Sequence, residues 1–273
     1  MVFIINIFSV LQNLSLHLDR KLDCMKLYED KIKHELELWQ LKMLKKPSLL
    51  NGLAKRIQVK INGWIPEKVH KVITSTIKQM VRAVLFGARY TTAEAATRGD
   101  LQLTEIKLTE RIKFYRSTAA IEGGITGAGG ILLGLADFPL LLVIKIKLLF
   151  EIAALYGYDT SDYKERLYIL YIFKLAFCSH EERRKVYLEM VDWDRKSAGL
   201  PADIHEFDWR TFQQEYRDYI DLAKMAQLVP VIGAPVGVVA NFQLIKKLGY
   251  TAMNAYRMRL LPVTKKSHKI LSS

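Results

Sequence analysis

Charged residues set on apolar helical stretches mark the places in this sequence where chemistry could occur. In EYRDYIDLAK, Arg217, Asp221 and Lys224 recur at i, i+4 and i+7, which puts them on one helical face with alternating sign, and Asp218 stands beside them. On the apolar run LLLVIKIKLLFEIAAL, Lys145, Lys147 and Glu151 are the only charges, with Lys147 and Glu151 four apart. Charges on such helices must pair or reach water, because an isolated charge in apolar surroundings is costly. They therefore read either as an ion-pair network between helices or as an ion or substrate site. Asp137 is a separate case. Just before Pro139, it suits the N-cap of a helix starting there; otherwise it is a lone acid in an apolar pocket. Other site chemistry does not assemble. The six histidines are scattered, His180-Glu-Glu-Arg-Arg lacks the second histidine of a zinc helix, and no Gly-x-Ser-x-Gly elbow occurs. Cys24 and Cys178 lack motif spacing and read as reduced thiols. No cofactor or metal is expected.

Basic charge is the second resource. The 273 residues carry a net charge of +13, and half of them are hydrophobic. Residues 41–90 hold eleven Lys/Arg against one acid, and residues 241–273 hold seven against none, which leaves a slightly acidic remainder. From Pro66 the chain reads PEKVHKVITSTIKQMVRAVLFG, an amphipathic helix over about 66–88. Lys68, Lys71, Lys78 and Arg82 form its polar stripe, and Ser75 fills the gap. Like charges three or four apart repel mildly, so the stripe is either a solvated face or a surface for an anion. Nucleic acid is the weaker partner, since Trp64, Phe86 and Tyr90 are sparse and no zinc-finger or RNP-type motif appears.

The elements that must position these groups are helices. Strand-type alternation with hairpin turns is absent. Helices are predicted over about Met25–Lys46, through LTEIKLTERIKFYRSTAA, after Pro139, after the capping-box spacings Asp162–Glu165 and Ser179–Glu182, from the N-cap Asp208 to Pro230, and over about Asn241–Leu260. The fold class is all-α: a single multi-helix bundle over residues 25–262, with the two glycine-rich apolar helical segments packed together. Residues 1–24 are an apolar leader expected to be poorly ordered, and residues 263–273 a basic disordered tail. The leader MVFIINIFSVL lacks a signal peptide's leading charges and falls short of the ~20 residues needed to span a bilayer.

The two glycine-rich segments are residues 122–142 (EGGITGAGGILLGLADFPLLL) and residues 225–245 (MAQLVPVIGAPVGVVANFQLI). Neither presents a phosphate loop. Gly123 with Gly127, Gly130 with Gly134, and Gly233 with Gly237 instead make small-residue stripes that let helices approach closely. These six glycines are the candidate helix-packing or insertion positions. A glycine costs about 1 kcal/mol in a helix interior, so close packing or membrane insertion must offset it. Asp137–Phe138–Pro139 is expected to break the first segment, and Pro230 and Pro235 the second. Packing of the two segments together in a protein core and broken insertion into a bilayer both stand.

GGITGAGGILLGLADFPLLL followed by EIAALYGYDT, and FDWRTFQQEYRDYIDLAKMAQLVPVIGAPVGVVANFQL followed by AMNAYRMR, resemble the EcsC family, as does WQLKMLKKPSLLNGLAKRIQVKINGWIPEKVH upstream. The resemblance covers roughly residues 35–262. It implies a mostly bacterial family named for a gene beside an ABC transporter operon linked to protein secretion, with no established activity and so no catalytic residues to carry over. The resulting expectation is a non-catalytic, membrane-associated accessory protein. It would lie on the cytoplasmic side of the inner membrane, peripheral or partly inserted, or else be cytoplasmic. Its partners would be anionic membrane lipid and an ABC transporter or other membrane protein. The alternative is a soluble helical hydrolase or lipid-modifying enzyme with a pocket around Asp137 and the group of Arg217, Asp218, Asp221 and Lys224. Nucleic-acid binding through the basic segments is the third reading.

Overall fold

A computed structural model describes residues 2–45, 67–86, 95–97, 99–127, 130–219 and 233–261. Among them the regular structure is helical: α1 (Val2–Leu44), α2 (Glu67–Phe86), α3 (Leu101–Gly127), α4 (Gly130–Leu155), α5 (Tyr163–Phe177), α6 (Arg183–Met190), α7 (Trp193–Ala198), α8 (Trp209–Tyr219) and α9 (Gly233–Leu260), with a 3-10 turn at Ile204–Glu206. The all-α expectation holds. The chain divides into two units, residues 1–42 with 263–273, and residues 43–262. In the first, the described residues form α1, on which Lys33 pairs with Glu29 at 3.4 Å and Asp30 at 3.7 Å along its own surface.

The second unit is built around α5 and α9. Thirteen of the fifteen residues of α5 are buried, so this helix is covered on every side rather than along one stripe. Asp162 caps it, accepting from the Lys164 N–H at 2.9 Å. α9 lies most extensively along α3 and also packs on α4 and α5, while α2 packs on α4, α5 and α8. The helices that carry the two glycine segments are thus neighbours, and the Arg116 guanidinium of α3 lies 3.7 Å from the ring centre of Phe242 on α9.

The six predicted packing glycines all fall within helices. Gly123 and Gly127 close α3, Gly130 and Gly134 lie in the opening turns of α4, and Gly233 and Gly237 in those of α9. What Gly123, Gly127, Gly130, Gly134, Gly233 and Gly237 touch lies outside the described residues, so the close approach expected at these stripes is not on view. The close approach that is on view falls elsewhere, at Gly249, which sequence reasoning missed. A Cβ there would stand 2.6 Å from Ile112 Cδ1 and 2.7 Å from its Cγ1, too near for any side chain without a shift.

Several predicted boundaries move. Asp137–Phe138–Pro139 does not break its segment, because α4 runs unbroken from Gly130 to Leu155 with Pro139 inside it. Proline there removes one intrahelical bond, but apolar residues on both sides of it favour continuing the helix into the core. Asp137 is therefore mid-helix and not an N-cap. Pro235 likewise does not break α9; it sits in the first turn, where a missing N–H is tolerated, and α9 starts at Gly233 rather than near Asn241. Ser179 accepts from the Glu182 N–H at 3.3 Å, yet α6 begins only at Arg183. Asp208 does cap α8, accepting from the Thr211 N–H at 3.1 Å. Asp100, not singled out from sequence, caps α3 through the Gln102 N–H at 2.8 Å. Gly157, with φ 79°, ends α4 in a left-handed turn, closed by the Tyr158 N–H on the Ala153 carbonyl at 3.0 Å.

Candidate functional site

The α2 stripe is built as its spacing requires. Ile73, Ile77, Val81, Val84 and Leu85 are buried, and Lys71, Ser75, Lys78 and Arg82 are exposed. Lys71 has Glu67 one turn away at 3.9 Å, both side chains 76% exposed, so one acid does sit beside the stripe after all. Phe86 continues the same line, 40% exposed, with the Trp209 ring edge-on at 6.0 Å and His205 at 6.2 Å. α8 is tied to α2 from its outer side by the Gln213 side-chain amide, which donates to the Lys78 carbonyl at 2.9 Å. Lys68 lies on the same helix, and its side chain is outside the described residues.

On its other flank α2 faces α4 across an apolar groove of about 450 Å³. Met80, Ala83 and Val84 line one wall, and Leu142, Val143 and Ile146 the other. Lys147 also lines it. Leu140, Val143 and Lys147 follow one another at helical spacing on the exposed side of α4, where Leu140 and Val143 are 49% and 58% exposed.

The polar set predicted on α4 is rearranged. Glu151 does not pair with Lys147. It turns to α3, accepting from the Tyr115 hydroxyl at 2.5 Å with Arg111 at 3.3 Å. Burial, with the Glu151 bond next, pushes the Tyr115 phenol well above its ordinary value. Lys145 is fully buried, and its ammonium donates to the Leu141 carbonyl at 3.2 Å. Lys147 is exposed and forms no ion pair among the described residues. Asp137, Arg217 and Asp218 are placed in helices with their side chains outside the described residues, and Asp221 and Lys224 lie outside them entirely.

The ionic network that the structure does show was not singled out from the sequence. Arg257 of α9 grips Glu105 of α3 with two bonds, at 2.7 and 2.5 Å, and the Tyr156 hydroxyl donates to the same carboxylate at 3.1 Å. Two residues on, Arg259 bonds Glu165 of α5 at 2.7 Å and Asp194 of α7 at 2.6 Å, while the Tyr256 hydroxyl donates to Glu165 at 2.7 Å. The Arg259 guanidinium lies 3.9 Å from the Tyr158 ring centre and 4.7 Å from that of Tyr168. Burial raises the Glu165 carboxyl against the pull of Arg259. Burial also opposes the Arg259 charge, but Glu165 and Asp194 outweigh it and hold its pKa above the ordinary value. Arg166 on α5 donates to the Leu85 carbonyl at the end of α2, at 2.9 and 3.1 Å. These groups are closed on one another and leave little for a substrate, so their role is to lock α2, α3, α5, α7 and α9 together. The available signal was that Arg257 and Arg259 are the only charges in AMNAYRMRLL, and charges on a buried helix need partners.

Among the described residues no group of three or more His, Cys, Asp or Glu could hold a metal ion, and no helix is long and apolar enough to cross a membrane. Cys178 is a buried free thiol. The fold and its surfaces define an all-helical protein with an ion-locked core and a basic amphipathic helix at its surface. The model of the EcsC protein family matches residues 30–261, and the chain belongs to that family. It is 42% identical over 228 residues to Protein EcsC of Bacillus subtilis (strain 168), covering 83% of this chain and 93% of that protein. It is 28% identical over 219 residues to the uncharacterized protein YdbA of the same organism, covering 71% of this chain and 79% of YdbA. No solved structure matches the chain.

Proposed function

We propose that this EcsC-family protein is a non-catalytic accessory protein that docks on an anionic membrane surface through α2. The observation that carries this is the exposed line Lys71, Ser75, Lys78 and Arg82 on α2, ending in the half-exposed Phe86 with Trp209 against it. Basic residues near an anionic bilayer contribute about 1 kcal/mol each, and aromatic rings suit the headgroup level. The glycine-bearing ends of α3, α4 and α9 serve, in this reading, as the packing seam of a peripheral protein. A membrane transporter of the ABC type is the client that the family resemblance suggests.

Co-sedimentation with phosphatidylglycerol-containing vesicles tests the reading. Replacing Lys71, Lys78 and Arg82 together by Ala removes three charges, about 3 kcal/mol, so binding weakens on the order of 100-fold. Rising salt weakens the wild type in parallel by screening. Wild-type protein that stays in the supernatant at low salt, or a triple variant that binds as the wild type does, refutes it.

A further inference from the structure

We propose that the groove between α2 and α4 holds one acyl chain of an anionic membrane lipid, with Lys147 at its edge meeting the headgroup. This rests on the reading of the protein as membrane-docked and adds a site with its own ligand. Three observations carry it. The groove, about 450 Å³, is of the size of a small-molecule pocket and too small for a partner helix. Its walls are mostly apolar: Met80, Ala83, Val84, Leu142, Val143 and Ile146 line them, and the Thr76 hydroxyl already donates to the Val72 carbonyl at 2.8 Å. Beyond Thr76, Gln79 is the neutral polar residue among the described lining. An extended peptide laid there would leave backbone groups unmet, whereas an acyl chain needs no hydrogen bonds. The third observation is charge. Lys147 is the one charged residue among the described lining; it is exposed, and no described acid pairs with it. A long chain ending in an anion satisfies both parts of the site, and the exposed Leu140 and Val143 beside it give the chain an apolar way in.

The test is calorimetric titration of the full chain with lysophosphatidylglycerol below its critical micelle concentration, with lysophosphatidylcholine for comparison. The expected result is saturable one-to-one uptake, at least about tenfold tighter for the anionic lipid. Lys147→Glu should erase that preference. Ala83→Trp, at an exposed position, should fill the groove and abolish uptake of both; Val143→Glu serves as the second variant should circular dichroism show Ala83→Trp unfolded. Absence of uptake by the wild type, or undiminished uptake by the groove variants, overturns the proposal. A change of oligomeric state on Ala83→Trp, read by light scattering, also overturns it, because the groove would then be a contact between copies. The two readings fail separately. Vesicle binding without lysolipid uptake sinks the groove and keeps the docked surface. Lysolipid uptake without vesicle binding supports the groove and sinks the surface.

Discussion

Arg257→Met tests whether the buried ionic network locks the bundle. Arg257 and Glu105 have side chains 5% and 2% exposed, and their two bonds join α9 to α3, the most extensive helix pair in the second unit. Met keeps an unbranched apolar stem, shorter than that of Arg, and removes the charge. The Glu105 carboxylate is then left buried without its arginine, the Tyr156 hydroxyl still donating to it at 3.1 Å. Orphaning one member of a buried pair costs about 3–5 kcal/mol. Against a whole-domain stability of about 5–15 kcal/mol this is a large fraction. For a unit of this size it lowers Tm by roughly 6–20 °C. The second member of the cycle is Arg257→Met with Glu105→Met. Replacing a buried pair by apolar residues is often neutral or stabilising by about 1–4 kcal/mol. Here that gain is offset by the Tyr156 hydroxyl losing its bond to Glu105, which costs up to about 3 kcal/mol. The double variant should therefore lose no more than about 3 kcal/mol relative to the wild type and stand above the single variant. Urea unfolding followed by far-UV circular dichroism reads all of these forms. A single variant within about 1 kcal/mol of the wild type, or a double variant no better than the single, refutes the assignment.

At Gly249, substitution by Ala gains about 1 kcal/mol of helix propensity but forces a Cβ onto Ile112, which costs about 1–3 kcal/mol, so the expected net loss is about 0–2 kcal/mol. Adding Ile112→Val should recover part of that loss in thermal melts, and strictly additive effects would exclude the contact. Asp159 and Asp208 are held below their ordinary value of 3.8 by bonds from Ser161 and from Thr211 respectively. Their folded pKa values are depressed, so their contribution is present above that ordinary value and is lost as pH falls through the folded one. Asp159→Asn with Asp208→Asn keeps an acceptor in the Asp159 turn and at the α8 cap and should flatten the acid limb of a stability profile between about pH 5 and pH 2; an unchanged limb counts against the contribution of these bonds. The Lys71/Lys78/Arg82 triple variant, finally, should keep the wild-type Tm within about 2 °C while losing vesicle binding, since these side chains are exposed.

The sequence by itself determined that the chain is helical and, for α2, which face it would bury. The 3.6-residue spacing of Ile73, Ile77, Val81 and Val84 against Lys71, Lys78 and Arg82 leaves α2 only one way to bury its apolar side, and the structure follows it. Asp162 and Asp208 were legible as caps because capping is satisfied within one turn of chain. Partnerships across the fold were not legible. Glu151 has Lys147 at ideal local spacing, yet it pairs with Tyr115 and Arg111, thirty-six and forty residues away in sequence, because α3 brings both against it. The same holds for Arg257 with Glu105 and for Arg259 with Glu165 and Asp194. It holds for glycine too. The spacing of Gly130 with Gly134 and of Gly233 with Gly237 is local and readable, whereas the tight contact of the isolated Gly249 with Ile112 depends on α3 lying against α9. Local rules fix which stretches are helical and which side each turns inward, while packing decides some of the ends, as at Asp137–Pro139 and Pro235. Which charge meets which, and where two backbones touch, depends on the order in which helices stack, and that information is spread over the whole chain.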